Sequence, residues 1–246
     1  MKSIAVFLCT CFFSIWSANG NPSINVGFSP FVTPGWYPLG NGLSNTVSTF
    51  FFSGNDVYVG GNFLDAGGDP DADYLARWDG CEWHAVAPGL DGAVHSIFVT
   101  GNEVYAGGIF TQPYPYLAKW DGTQWSQLGT GPQNPVSAIV YDEGNIIAGG
   151  GVPLNSGYVA QWNGNSWLNL GPTLNSSVFD LVIHDGDLYM AGDFTDAGGN
   201  EDADGIARWD GSAWQNMGTG IQVASYTFVY NLVSDASGLY AGGPFV

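Results

Sequence analysis

The sequence predicts an all-β fold built from one repeated unit of four short antiparallel strands, and three observations support this. Apolar runs end in Trp, then Asp or Asn, then Gly, which favours a tight hairpin because Gly tolerates positive φ and Asp bonds its own backbone. A second Trp follows five residues after the first. A Gly-Gly-like pair ends an earlier apolar strand. The hairpins are Trp78-Asp79-Gly80, Trp120-Asp121-Gly122, Trp162-Asn163-Gly164 and Trp209-Asp210-Gly211.

The repeat keeps a nearly constant period. The second Trp recurs with spacings of 47, 42, 42 and 47 residues, and the Gly-Gly-like pair with spacings of 47, 42, 42 and 51. The second Trp residues are Trp36, Trp83, Trp125, Trp167 and Trp214. The pairs are Gly60-Gly61, Gly107-Gly108, Gly149-Gly150, Ala191-Gly192 and Gly242-Gly243. Two independent markers with one period predict a repeat protein.

Each repeat holds four predicted strands separated by Gly, Asn, Asp or Pro turns. In the second repeat these are Val94–Val99, Glu103–Phe110, Tyr116–Trp120 and Gln124–Leu128. Four strands in roughly 40–50 residues is the period of a β-propeller blade. The Trp residues are interpreted as core between blades, because they fall at fixed repeat positions and large rings fill the space between twisted sheets.

Five blades account for the chain after its first 20 residues. Residues 24–40 would supply strands three and four of a closing blade, and residues 229–245 strands one and two, so the ring has no open edge. The alternative is that the chain is a piece of a six- or seven-bladed propeller. The four complete blades are predicted at 47–87, 94–129, 136–171 and 178–218.

The repeat resembles the kelch repeat, through the Gly-Gly pair that ends strand two and the aromatic residues in strands three and four. Its particular form, as in Tyr58-Val59-Gly60-Gly61 followed by Ala76-Arg77-Trp78-Asp79-Gly80, is similar to propeller repeats of secreted bacterial proteins and fungal cell-polarity marker proteins. Trp stands where kelch repeats usually have Tyr in strand three. The resemblance implies a propeller that binds partners, although a few such propellers are enzymes, such as galactose oxidase.

The first 20 residues have the pattern of a secretory signal peptide. Lys2 is the positive n-region, the apolar stretch 4–16 is too short to span a bilayer, and Ala18-Asn19-Gly20 is a small-residue cleavage site. The alternative is a buried N-terminal strand. We therefore expect a secreted, extracellular protein that starts at Asn21 and is a monomer without membrane insertion.

The chain is strongly acidic. After residue 20 it has 22 Asp and Glu against three cations, Arg77, Lys119 and Arg208, which gives a formal charge of −19. This charge disfavours nucleic acid and anionic membranes as partners. Cys81 is the one cysteine outside the signal peptide, so we expect an exposed turn residue or a thiol that cross-links two chains.

One column of small residues recurs at a fixed position in strand one. We expect it to face the central channel, where large side chains would collide, so it either lines a hydrated channel or holds a small polar ligand. The residues of this first-strand column are Thr49, Ser96, Ala138, Asp180 and Asn231.

Two longer loops between strands two and three carry alternating oxygen ligands. Calcium prefers six to eight such oxygens from a flexible loop, so these loops are candidate calcium sites. Neither loop has the later bidentate carboxylate of a full calcium loop, and the alternative is a solvated acidic loop paired with the strand-three Arg of its own blade. The candidate ligands are Asp69, Asp71 and Asp73, and Asn200, Asp202 and Asp204. No other cofactor is predicted.

Catalysis has little support. His84, His95 and His184 fall at different repeat positions, and the first-strand column has one ionisable residue where glycoside cleavage needs two converging acids. We therefore predict a binding or scaffold propeller that contacts a protein or cell surface through one rim of loops. A glycan-binding, lectin-like propeller is the alternative, and a polysaccharide hydrolase or lyase is a third hypothesis.

Overall fold

The structure, a computed structural model, describes residues 39–152, 156–218 and 228–244. Four described sheets have four antiparallel strands each, paired in chain order, and a fifth has two. Sheet 1 contains β1 (Val47–Ser53), β2 (Asp56–Gly61), β3 (Leu75–Trp78) and β4 (Trp83–Ala85), and sheet 2 contains β5 (Val94–Thr100), β6 (Glu103–Gly108), β7 (Leu117–Trp120) and β8 (Trp125–Ser126). Sheet 3 contains β9 (Val136–Asp142), β10 (Asn145–Val152), β11 (Ser156–Trp162) and β12 (Trp167–Asn169). Sheet 4 contains β13 (Val178–His184), β14 (Asp187–Gly192), β15 (Ile206–Trp209) and β16 (Trp214–Asn216), and sheet 5 contains β17 (Asn231–Asp235) and β18 (Gly238–Gly242).

The hairpins between strands three and four are formed by side-chain capping of the turn. Oδ1 of Asp121 accepts the backbone N–H groups of Thr123 (2.8 Å) and Gln124 (2.9 Å), and Gly122 adopts a φ of 98°. An Asx turn followed by a left-handed Gly directs the chain straight back into the sheet. The same bonds recur at the turns of the other three four-stranded sheets, at Asp79, Asn163 and Asp210.

Successive sheets pack through their first strands. β1 contacts β5, β5 contacts β9, β9 contacts β13, and β13 contacts β17. The strand-two glycines permit this close approach: a Cβ on Gly107 would lie 2.6 Å from Val136 Cγ1, closer than side chains tolerate. Apolar side chains of neighbouring sheets therefore share one core layer, as Leu75 of sheet 1 does with Val94 of sheet 2.

Paired Trp rings fill the space between sheets. The two indoles of each hairpin lie 5.2–5.7 Å apart between ring centroids, in tilted arrangements. The second indole Nε1 donates to a backbone carbonyl of the segment before its own sheet, over 2.7–3.0 Å. The bonds are Trp83 to Leu39, Trp125 to Pro88, Trp167 to Leu128 and Trp214 to Leu170. Trp78, Trp83 and Trp214 are buried, in agreement with their assignment to the core. The other described Trp residues are half-buried between sheets: Trp120, Trp125, Trp162, Trp167 and Trp209.

The outward face of sheet 1 is uncovered. Phe50 is 63% exposed, whereas the residues at its repeat position in sheets 2 and 4, Ile97 and Leu181, are each 4% exposed because the preceding sheet covers them. At the other end, Val233 and Tyr240 face each other across sheet 5 and are also exposed. The two ends of the described array therefore present apolar surface.

The structure confirms the predicted strands of the second repeat, with a shorter fourth strand. β8 ends at Ser126, and two residues later the Leu128 carbonyl accepts the indole N–H of Trp167. Of the predicted closing blade, residues 24–38 lie outside the described residues. No helix in the described ranges is long and apolar enough to cross a bilayer.

Cys81 differs from the expectation of a lone thiol, since it is disulfide-bonded in the structure. The other two cysteines of the chain, Cys9 and Cys11, lie outside the described residues.

Candidate functional site

The first-strand column lies directly after a β-bulge. In sheets 1, 2 and 4, the pairing of strands one and two shifts register at the residue just before the column residue. In sheet 3 the register shifts at the equivalent residue of strand one. A bulge bends the strand and re-aims the next side chain. Ser96 and Ala138 are buried, Thr49 and Asp180 are half-buried, and Asn231 is exposed.

Two members of the first-strand column join neighbouring sheets. Ser96 Oγ accepts the backbone N–H of Ile139 (2.9 Å), and Asp180 Oδ2 accepts that of Leu232 (2.7 Å). Asp180 Oδ1 also accepts the N–H of Leu181 (2.8 Å). Burial raises the pKa of Asp180 despite these two bonds. These oxygens serve sheet-to-sheet contacts, while the binding of a polar ligand by the column stays a prediction.

The two long loops, which we call the twin loops (residues 65–73 and 196–204), have the same structure. Each begins at an Asp in the left-handed region, Asp65 (φ 50°) or Asp196 (φ 54°). The backbone N–H of that Asp donates 2.9 Å to Oδ1 of the last Asp of the loop, Asp73 or Asp204. A 3₁₀ turn follows, at Ala66–Gly68 and Ala197–Gly199.

Buried anchors hold the twin loops against their sheets. Ala66 and Ala72 are fully buried in the first loop, and Ala66 N–H donates to the Ala72 carbonyl over 3.1 Å. Ala197 and Ala203 form the same bond in the second loop, also at 3.1 Å. Loops braced by internal bonds and buried side chains are ordered before any partner arrives, which lowers the entropic cost of binding.

The candidate calcium ligands divide into bracing and exposed residues. Asp69 Oδ1 accepts the backbone N–H of Asp71 (3.0 Å), and Asn200 Oδ1 accepts that of Asp202 (3.3 Å). Asp71 and Asp202 themselves are exposed. Asp69, Asp71 and Asp73 do not gather their ligand oxygens within 4.8 Å, whereas another described trio does. Calcium binding by the twin loops stays a prediction.

The pairing of the loops with strand-three Arg residues is wrong. Arg77 lies opposite Tyr58 in the sheet, and its Nη1 contacts Asp56 Oδ2 at 2.8 Å, because Asp56 lies two residues along the same face of strand two. Arg208 makes the same 2.8 Å pair with Asp187, and Lys119 pairs with Glu103. All three cations after residue 20 are thus neutralised inside their own sheets.

Sequence reasoning missed a trio at the first hairpin. His84 Nε2 lies 2.7 Å from Asp79 Oδ2 and 3.9 Å from Glu82 Oε1. Hydrogen bonds to the carboxylate, first from the Glu82 backbone N–H and next from His84, lower the pKa of Asp79 to about 2. At the equivalent turn of sheet 4, Gln215 Nε2 donates 2.8 Å to Asp210 Oδ2. His84 therefore braces this turn as Gln215 braces its own. Both residues lie five positions after the turn Asp, and this shared spacing could have revealed the contact from the sequence.

Antiparallel topology sorts the connections onto two rims. The hairpin rim carries the turns between strands one and two and between strands three and four. The loop rim carries the strand-two-to-three loops and the connections between sheets. Ten acidic residues and no Lys or Arg lie in the described parts of the loop rim. These are Asp65, Asp69, Asp71, Asp73, Asp91, Asp193, Asp196, Glu201, Asp202 and Asp204.

Comparison with solved structures places this fold among the β-propellers. The extracellular domain of a one-component system, BT4673, from B. thetaiotaomicron matches with a TM-score of 0.53 and 16% identity, over 81% of this chain and 25% of that one. YCF48 bound to D1 peptide matches with a TM-score of 0.52 and 17% identity, over 81% of this chain and 60% of that one. A chain of the nidogen/laminin complex matches with a TM-score of 0.53 and 14% identity, over 76% of this chain and 67% of that one.

The chain therefore has a β-propeller-type fold, and it spans a quarter to two thirds of these structures. No protein-family model matches it, and no curated protein matches it in sequence. The kelch-like character of the repeats and the count of five blades stay predictions.

Proposed function

We propose that the protein is a secreted, non-catalytic binding module whose loop rim docks on a basic surface of a partner protein. The observation that carries this proposal is the pair of rigid twin loops on a rim that has ten acids and no Lys or Arg. An ordered acidic surface without internal cations can pair with basic side chains of a partner.

The physical consequences follow from charge and order. Complementary potentials accelerate encounter and reject like-charged partners, and both effects weaken as salt screens exposed charges. Braced loops avoid the ordering cost that flexible loops pay on binding. The protein contacts named for YCF48 and for nidogen with laminin support a protein partner by analogy of fold.

Partner capture from the extracellular fraction of the source organism tests this proposal. We compare the parent with Asp71→Asn/Asp202→Asn, which neutralises one exposed acid in each twin loop and leaves the bracing oxygens of Asp73 and Asp204 in place. The matched control, Glu143→Gln/Asp185→Asn, removes the same charge from exposed residues of the hairpin rim.

We expect a basic protein that binds the parent and the control equally, binds the twin-loop variant at least about tenfold more weakly, and dissociates as salt rises. Equal binding to the two variants would move the interface away from the twin loops. A partner held without salt dependence would contradict the charge-based recognition.

A further inference from the structure

A groove runs between sheets 1 and 2 at the hairpin rim. Its volume is about 230 Å³, and the residues that give it chemical character are Tyr58, Arg77, Val86, Asn102 and Trp120. Sites that enclose drug-sized ligands measure roughly 300–1,000 Å³. This groove therefore has room for one ring of a ligand and leaves the rest of a longer molecule outside.

The groove combines aromatic walls with a neutral set of polar groups. Trp120 forms part of one wall and is held by its own hairpin partner Trp125, with ring centroids 5.5 Å apart. Tyr58 and Arg77 line the other sheet's wall, and the Arg77 guanidinium is already paired with Asp56 at 2.8 Å. Burial raises the pKa of Tyr58, so its hydroxyl remains an uncharged donor and acceptor.

Local sequence makes this groove different from its equivalents along the array. Asn102 provides an amide at the turn between strands one and two, where sheets 3 and 4 have Gly144 and Gly186. The left-handed Gly89 follows the second Trp of sheet 1 by six residues, whereas the equivalent Gly follows by four in sheets 2 and 3. Val86 contributes apolar surface to the groove.

We propose that this groove binds one ring of a neutral saccharide. A sugar ring presents an apolar C–H face to an aromatic side chain, and each hydroxyl both donates and accepts a hydrogen bond. The Asn102 amide has donors and an acceptor, Arg77 has guanidinium N–H groups beyond the Nη1–Asp56 contact, and the Tyr58 hydroxyl does both. The wall therefore offers donors and acceptors of the kind that sugar hydroxyls use.

The charge around the groove argues for a neutral ligand. Arg77 is the one Lys or Arg among the lining residues, and Asp56 neutralises it. An acidic sugar would have to displace that carboxylate on a protein with a formal net charge of −18. An aromatic side chain of a partner would fill the volume but would offer few partners to these donors and acceptors.

The site is independent of the proposed loop-rim interaction, because the two lie on opposite rims. The twin-loop variant Asp71→Asn/Asp202→Asn should bind saccharides as the parent does, and failure of either proposal leaves the other standing.

Binding of neutral di- to tetrasaccharides of glucose, galactose, mannose and xylose tests the proposal, by saturation-transfer NMR and calorimetric titration of the full chain. For a one-ring contact we expect at least one oligosaccharide to bind with a Kd of about 0.1–10 mM. Arg77→Gln and Asn102→Ala should each raise that Kd about tenfold or more.

Two matched controls come from the repeats. Arg208→Gln breaks the same Arg–Asp pair in sheet 4, where Nη1 also lies 2.8 Å from its Asp, so it reproduces the effect on stability without touching the groove. Asn55→Ala changes the same exposed turn position in sheet 1 that Asn102 occupies in sheet 2. Both controls should keep the Kd of the parent.

Several results would overturn the assignment. Absence of binding by every neutral oligosaccharide at about 20 mM, about twice the weakest expected Kd, would remove the ligand class. Binding restricted to uronate oligosaccharides would show an anion site instead. An equal loss in the controls would place the sugar elsewhere, and binding of N-acetyl-tyrosinamide with no sugar would assign the groove to a protein side chain.

Discussion

The indole Nε1 of Trp214 donates a 2.7 Å hydrogen bond to the backbone carbonyl oxygen of Leu170, and this bond joins sheet 4 to the segment that leaves sheet 3. Trp214 is 2% exposed. Its ring lies over Gly171, where a Cβ would come within 2.8 Å of the indole, and Gly171 has a φ of 86°. The left-handed Gly and the indole thus form one unit of sheet-to-sheet contact.

Substitution of Trp214 should separate its two contributions. Trp214→Phe keeps most of the buried ring and leaves the Leu170 carbonyl without its donor, so we expect a loss of about 1–3 kcal/mol in the free energy of unfolding. Trp214→Ala also empties the ring site and should cost about 3–5 kcal/mol. Denaturant unfolding measures both values. Equal losses in the two variants would show that the hydrogen bond carries the whole contribution.

The same reasoning applies to Trp125, whose Nε1 donates 2.9 Å to the Pro88 carbonyl. Because Trp125 is half-buried, Trp125→Ala should cost less than the about 3–5 kcal/mol expected at a fully buried Trp, against a total stability of about 5–15 kcal/mol for such domains. A melting temperature within a degree or two of the parent would show that Trp125 does not hold the sheets together.

Asp180→Asn should change how stability depends on pH. Burial raises the folded-state pKa of Asp180, so its proton stabilises the folded state at low pH, and that stabilisation is lost as pH rises through the folded pKa. Asn cannot ionise, and its Oδ1 can still accept the Leu232 N–H. The difference in the free energy of unfolding, variant minus parent, should therefore increase from pH 3.5 to pH 7. A difference that moves the other way would mean that the two backbone bonds to the carboxylate outweigh its burial.

Calcium has a direct test at the twin loops. If they bind the ion, millimolar Ca²⁺ raises the melting temperature by mass action on the folded state, and EDTA reverses the shift. Asp71→Asn/Asp202→Asn should abolish the gain, while Glu143→Gln/Asp185→Asn, with the same change of charge, should keep it. Identical melting curves with calcium and with EDTA would discard the site.

If the ring closes, the closing blade should pack on the outward face of sheet 1 and cover the exposed side chain of Phe50. Residues 24–38 should join sheet 5 as its third and fourth strands. Trp36 Nε1 should then donate to the Met217 carbonyl. Met217 precedes Gly218 just as Leu170, the acceptor for Trp214, precedes Gly171. Trp36→Ala should then cost about 3–5 kcal/mol, as at the equivalent sites. We expect the parent to be a monomer and the chain without residues 21–38 to oligomerise, because the deletion leaves an unpaired sheet edge.

Energy transfer between labels at Asn21 and Val246 measures closure independently. Close ends support the ring. Distant ends, or a truncated chain that stays monomeric with an unchanged melting point, would favour part of a larger propeller.

Local patterns in the chain were enough to locate the repeats. The Trp-Asp-Gly turns work through bonds between neighbouring residues, as in Asp121 with Thr123 and Gln124, so their chemistry is visible in the sequence. The twin loops were also recognisable as a pair, because identical spacing gives both loops the same bracing bond from Asp65 or Asp196.

Contacts across strands and sheets were not visible in this way. Arg77 was expected to pair with its acidic loop, yet strand register places it on the same face as Asp56. The bonds from Ile139 to Ser96 and from Leu232 to Asp180 depend on bulges and on how closely successive sheets approach. The Asp79, Glu82 and His84 trio forms within one turn, where the His84 side chain reaches back to the turn Asp. The position of each histidine in the repeat does not show this contact.

The amino-acid sequence by itself determined the repeat period, the four-strand unit, the acidity and the hairpin turns, because each depends on composition or on residues a few positions apart. The tertiary structure decided which carboxylates brace loops and which stay exposed, where each cation finds its partner, and how Tyr58 and Trp120 of different sheets come to line one groove. Those outcomes depend on strand register and on the distance between sheets. Both are determined by contacts between residues that lie about 40 positions apart in the chain.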